Sequence, residues 1–139
     1  MRLFVDSSVI IYGLEMSESN SKTILDLLYE GEVDGAINEK VIDEVRRYFT
    51  NRRDRHYAFL IESMLRETFA VIGLHEIKAE AEKLKGCVKE KDLLHLATVR
   101  VENIRYLVAY DRDFDRIPEY ITPKGLLKKL GRKTGATEY

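Results

Sequence analysis

RLFVDSSVIIYGL, residues 2–14, places one carboxylate, Asp6, between two apolar runs. Leu3, Phe4 and Val5 form a run too short for a helix and without alternation, the pattern of a parallel strand buried on both faces. Ser7-Ser8 then opens a turn into a weak helix carrying Val9, Ile10 and Ile11. Asp6 therefore stands at the carboxyl end of a strand, where a carboxylate is costly to desolvate unless something binds it. The rest of the chain has to supply that partner.

The same grammar repeats outward from this stretch. SESNS (17–21) caps a helix bearing Ile24, Leu25, Leu27 and Leu28, which Gly31 terminates. GAIN (35–38) is a brief second strand, and from Glu39 the set Val41, Ile42, Val45, Tyr48 and Phe49 recurs at helical spacing. A further helix with Phe59, Leu60, Met64 and Leu65 follows the arginine run at 46–55. FAVIG (69–73) reads as a third strand, followed by a helix closed by Gly86, a loop CVKEK (87–91) and a helix over DLLHLATVRVEN (92–103). YLVAY (106–110) is the fourth strand, EYITP (119–123) a small fifth, and GLLKKLG (125–131) a last helix before a frayed tail at 131–139. Strands alternating with helices predict an α/β fold, three layers α/β/α around a central, mostly parallel five-stranded sheet with right-handed crossovers.

A chain of 139 residues with 45% hydrophobic and 34% charged residues suits one domain, residues 1–139, with one core. No apolar run approaches the roughly 20 residues that span a bilayer, and no signal peptide separates Met1-Arg2 from the first strand. A cytoplasmic protein with no membrane partner is expected. Cys87 is a lone thiol without assigned chemistry, and His56, His75 and His95 lack ligand-like spacing and read as ordinary surface or core residues. The net charge of −1 is uninformative, but RRYFTNRRDRH (46–56) holds five arginines against one aspartate. Arg46, Arg52, Arg53 and Arg55 form either a solvated helix face or a track for nucleic-acid phosphates.

Ligands of such sheets bind beyond the carboxyl ends of the strands, where strand order reverses. If the sheet grows from strand one to two and three and restarts on its other side with four and five, Asp6 and Asp111 flank that point. At about 100° per residue Glu44 falls beside Val41 and Tyr48 and faces inward, whereas Asp43 faces water. Asp92 lies on the buried side of its helix with Leu96 and Val99. For Asp92 and Asp6 alike, helix capping is the competing explanation. Asp6, Glu44, Asp92 and Asp111, joined by Asp113, would repel one another unless protons or a cation neutralise them. Oxygen donors without a His or Cys cluster point to Mg²⁺ or Mn²⁺, and carboxylate-rich Mg²⁺ sites usually act on phosphates.

LFVDSSVII, INEKVIDEVRR, KEKDLLHLATVR and LVAYDRDF, in this order and spacing, resemble the PIN domain and within it the VapC-type toxin ribonucleases, across nearly the whole chain. The resemblance implies Mg²⁺- or Mn²⁺-dependent endonucleolytic cleavage of RNA, with Asp6, Glu44, Asp92 and Asp111 as the catalytic and metal-binding acids and Asp113 as an occasional fifth. It also implies a homodimer and an inhibitory VapB-type antitoxin. One departure is Ala109, where the family often carries Thr or Ser two residues before the last aspartate; it favours the alternative of a catalytically weak PIN module that binds RNA or protein without cleaving. A receiver-like domain fits poorly, because the third strand ends VIGL without an acceptor aspartate. A DxD phosphatase fails too, since Ser7 and Ser8 follow Asp6.

Overall fold

The computed structural model describes residues 1–135. Its strands are β1 (Arg2–Val5), β2 (Asp34–Asn38), β3 (Ala70–Ile72), β4 (Tyr106–Val108) and β5 (Tyr120–Ile121), in the order β3-β2-β1-β4-β5. Every pairing is parallel. The sheet thus grows from β1 through β2 to β3 and restarts with β4 on the opposite edge of β1, the order assumed in placing Asp6 and Asp111 together. Adjacent side chains of a strand point to opposite faces, yet Leu3, Phe4 and Val5 are all fully buried. Helices therefore cover both faces of the sheet, and the run of consecutive apolar residues in β1 follows from that.

Among the described residues, seven α-helices connect and cover the strands: α1 (Ser7–Glu15), α2 (Asn20–Tyr29), α3 (Glu39–Arg52), α4 (Arg55–Thr68), α5 (Leu74–Lys83), α6 (Leu93–Val101) and α7 (Pro123–Lys129). Polar side chains start most of them. Asp6, Ser19, Asn38, Asp54 and Thr122 each accept a backbone N–H from the first turn of the helix that follows. Asp54 interrupts the arginine run, so α3 and α4 are separate helices joined only by Arg53-Asp54.

The inward face of α4 takes up only part of its apolar set. Ala58, Ile61 and Leu65 are buried, whereas Phe59 is 64% and Leu60 50% exposed. Residues 58, 61 and 65 follow the i, i+3, i+7 stripe, and 59 and 60 are rotated about 100° and 200° away from it. The last helix begins at Pro123 rather than 125, because Pro suits the first helical position after the Thr122 cap. The tail expected from 131 is held as far as Gly135, by an Arg132–Glu32 ion pair and by Gly135 N–H donating to Asn20 Oδ1 at 2.8 Å. Its remainder, 136–139, lies outside the described residues.

Gly13 lies where α1 passes close against α2. A Cβ there would lie 2.7 Å from Leu25 Cδ1 and 3.0 Å from the Ser21 carbonyl carbon. Gly13→Ala gains about 1 kcal/mol of helix propensity but forces backbone and side chain apart, at about 1–3 kcal/mol. Overpacking against backbone wins, and urea denaturation should show a net loss of stability; a more stable variant would mean that α1 and α2 can separate freely.

Candidate active site

The parallel topology carries the ends of β1 and β4 to the same edge of the sheet. Asp6 N–H donates to Val108 O at 3.0 Å, continuing the β1–β4 ladder by one residue and fixing the Asp6 backbone. Its side chain then turns into a cleft of about 340 Å³ lined by residues that include Asp6, Glu44, Lys91, Asp92, His95 and Asp111. Four of the five acids singled out in the sequence thus share one cleft. Asp113 completes a second grouping: one carboxylate oxygen from each of Asp92, Asp111 and Asp113 lies within 4.8 Å of the others.

Each acid is positioned by its own local device. Asp6 caps α1, its Oδ2 accepting the Ser8 amide at 3.3 Å and the Ser8 hydroxyl at 2.6 Å. Capping and cleft placement are therefore both true of Asp6. Glu44, one turn into α3, accepts the Ser7 hydroxyl at 3.3 Å. Asp43, on the outer side, pairs with Arg46 and Arg47. Asp111 holds the turn after β4 by accepting Asp113 N–H at 2.9 Å, and Lys91 Nζ lies 3.3 Å from its Oδ2. Lys89 pairs with Asp113 at 2.9 Å.

Asp92 is the exception. It occupies the N-cap position of α6 but accepts no N–H there, it is only 6% exposed, and its buried Oδ2 has no hydrogen-bond partner among the described residues. Burial, then the neighbouring Asp111, raise its pKa above the ordinary 3.8. An orphaned buried carboxylate oxygen beside other carboxylates suits a hard divalent cation, which the oxygen-only acids of the cleft would ligate.

His95, which the sequence offered as an ordinary core or surface histidine, is buried in the middle of this cleft. Its Nε2 lies 3.3 Å from Asp6 Oδ1 and 3.4 Å from Glu44 Oε1. Burial alone would lower the imidazole pKa, but hydrogen bonding and attraction from Asp6 and Glu44 carry it up to about 9. The same contact, with the Ser8 donors, brings Asp6 below its ordinary value despite burial. The signal that could have found His95 is its place three residues after Asp92, on the side of α6 that carries Leu96 and Val99 inward.

The arginines lie elsewhere. Arg46 pairs with Asp43 and Glu62, Arg52 sits 3.8 Å from Glu15, and Arg53 stacks 4.3 Å over the Tyr57 ring. Arg55 lines a shallow groove with Phe59 and Glu62. None of the four lines the acidic cleft.

The PIN domain family model matches residues 3–120. The chain belongs to the PIN domain family. Among solved structures it is similar to a toxin-antitoxin complex from Klebsiella pneumoniae, with TM-score 0.69 and 22% identity, covering 88% of this chain and 98% of that one. It is also similar to VapBC2 from Rickettsia felis bound to a promoter DNA fragment, with TM-score 0.62 and 19% identity, covering 88% and 97%. VapBC-1 from nontypeable Haemophilus influenzae gives TM-score 0.62 and 14% identity, covering 88% and 98%. No curated protein matches the sequence. The acidic cleft lies within the PIN match, and no helix among the described residues is long and apolar enough to cross a membrane.

Because the pKa of Asp92 is raised in the folded chain, the folded state takes up a proton at higher pH than the unfolded one. The penalty for its charge is absent below about 3.8, grows through the raised value, and is present in full above it. In EDTA, Asp92→Asn should therefore stabilise the fold at neutral pH by on the order of 1 kcal/mol, seen as a raised Tm, and the gain should vanish as pH falls toward the unfolded value. Melting both proteins from pH 3.5 to 8 checks this, and a gain that grows toward low pH would contradict it.

Proposed function

We propose that this PIN domain is a Mg²⁺- or Mn²⁺-dependent endoribonuclease, the toxin of a VapBC-type pair. The observation that carries the reading is the orphaned buried oxygen of Asp92 in a cleft shared with Asp6, Glu44 and Asp111. These four acids, with Asp113 beside them, would hold the cation. Bound there, it supplies Lewis acidity toward a phosphodiester and its attacking water.

The chain's own groups do the rest. Ser8 and His95 hold Asp6, and Ser7 orients Glu44. The Glu44 side chain is 40% exposed, which leaves it the open carboxylate able to hold a water and accept its proton. Lys91 lines the cleft and Lys89 pairs with Asp113, and both lysines would meet phosphates next to the cleaved one. Arg46, Arg52, Arg53 and Arg55 would extend that track along α3 and α4. The VapBC complexes among the structural neighbours support a VapB-type antitoxin as partner; a homodimer as the functional unit is what the resemblance to VapC-type toxins implies. The exposed apolar Phe59, Leu60 and Tyr29 are in keeping with protein contacts.

Asp6→Asn tests the cleavage. Asn caps helices as well as Asp does, so α1 should stay in place while the charge at the cleft is lost. Circular dichroism should be unchanged and cleavage of fluorescently labelled RNA in Mn²⁺ abolished; near-parental activity in metal-replete buffer would sink the assignment. The same assay on the parent separates a nuclease from a module that binds RNA without cutting.

Phosphate tracking has its own signature. With cleavage blocked by Asp6→Asn, adding Lys89→Ala and Lys91→Ala should lower the slope of log K against log salt by about 1.4 for single-stranded RNA, two contacts at about 0.7 each. Arg52→Ala, Arg53→Ala and Arg55→Ala together should flatten it further. An unchanged slope for the arginine variant would return those residues to a solvated helix face.

A further inference from the structure

His95 does not fit the role of a cation ligand, since its Nε2 faces two carboxylates and must carry a hydrogen toward them. Its other edge is equally committed. Nδ1 lies 3.3 Å from the Asn38 side-chain nitrogen, and the ring tilts against Phe4 with centroids 5.1 Å apart. Asn38 is itself locked: its Oδ1 caps α3 by accepting Val41 N–H at 3.0 Å, which turns its amide nitrogen toward α6, where it donates to Thr98 Oγ1 at 3.0 Å and Leu94 O at 3.3 Å. Both residues are almost wholly buried, Asn38 at 0% and His95 at 2% exposure. The ring is thus wedged between β1, the cap of α3 and α6, with one N–H directed between a carboxylate from the end of β1 and a carboxylate from α3.

Two like charges on separate elements separate unless something between them prevents it. Ser8 and Ser7 each touch one of the two acids, whereas His95 reaches both. We propose that His95, braced by Asn38, is a positioning residue that sets the separation of Asp6 and Glu44 so that both address the same cation. This rests on the metal-dependent reading above. A buried residue that merely filled space would be replaced well by an apolar side chain of similar size. A positioning residue needs the hydrogen at the Nε2 position, which a Gln amide supplies and Leu does not.

Calorimetric titration of Mn²⁺ into the folded parent, His95→Leu, His95→Gln and Asn38→Ser, with RNA cleavage measured in parallel, separates these. His95→Leu should keep its circular dichroism and lose at least tenfold in Mn²⁺ affinity and in kcat, with KM for RNA unchanged. His95→Gln should recover most of the loss. Asn38→Ser keeps an oxygen to cap α3 while deleting the amide, and should fall between them. Equal Mn²⁺ affinity in parent and His95→Leu would overturn the proposal, as would equal impairment of the Leu and Gln variants. If the parent binds Mn²⁺ without cutting RNA, the nuclease reading fails, while a loss of Mn²⁺ affinity in His95→Leu that His95→Gln recovers still supports the positioning role. If the parent binds no Mn²⁺, both fail.

Discussion

Mutual repulsion of carboxylates at the carboxyl edge of a parallel sheet is the constraint around which this chain is built. Asp6 and Asp111 arrive there because β1 and β4 are neighbours in register, and Glu44 and Asp92 arrive because α3 and α6 begin at that same edge. Nothing in the hydrophobic core asks for these charges. At distances of a few ångströms and in partial burial, carboxylates oppose one another strongly enough to shift protonation by whole pKa units, so each must be held against its neighbours by covalent geometry and by donors.

The chain divides that task unequally. On the β1 side the donors are short and held by their own helices: two from half-buried Ser8, one from half-buried Ser7, and the buried His95 ring that both acids share. On the β4 side they are long, exposed lysines, with Lys91 and Lys89 side chains 62% and 63% accessible. Exposed pairs of this kind contribute little to stability. A lysine that yields its carboxylate at small expense leaves Asp111 and Asp113 available to a cation and leaves its own charge available to a phosphate. The rigid half of the cleft and the exchangeable half thus follow from the kind of donor placed in each.

Much of this was legible in the sequence because it depends on local pattern. A strand of consecutive apolar residues, an acid immediately after it, and an inward acid on a helical wheel are all one-dimensional features, and in the fold β1 is such a strand while Asp6 and Glu44 line one cleft. What depends on the third dimension was harder to read. His95 looks like any buried histidine until β1 and α3 bring Asp6 and Glu44 against it. Phe59 and Leu60 are apolar enough to be taken for core, and only the choice of stripe on α4 turns them outward. The arginine run looked continuous in sequence, yet Asp54 caps a new helix within it and most of its charges find acids or a ring nearby.

The departure at Ala109 has a specific meaning in this arrangement. Ala109 is fully buried, and its N–H is used by Ile121 O at 3.1 Å, so the residue joins β4 to the segment that leads into α7. A hydroxyl at 109 would be one more short donor at the β4 edge, beside the half of the cleft that relies on lysines. The fixed donors that this chain does possess, Ser7, Ser8 and His95, all act on Asp6 and Glu44 instead. The absence of the hydroxyl therefore leaves the rigid half untouched and makes the turn at Asp111 depend on the backbone N–H of Asp113 and on Lys91. Any functional consequence of Ala109 belongs at Asp111, on the lysine side of the cleft, and not at the Asp6 and Glu44 carboxylates that His95 reaches.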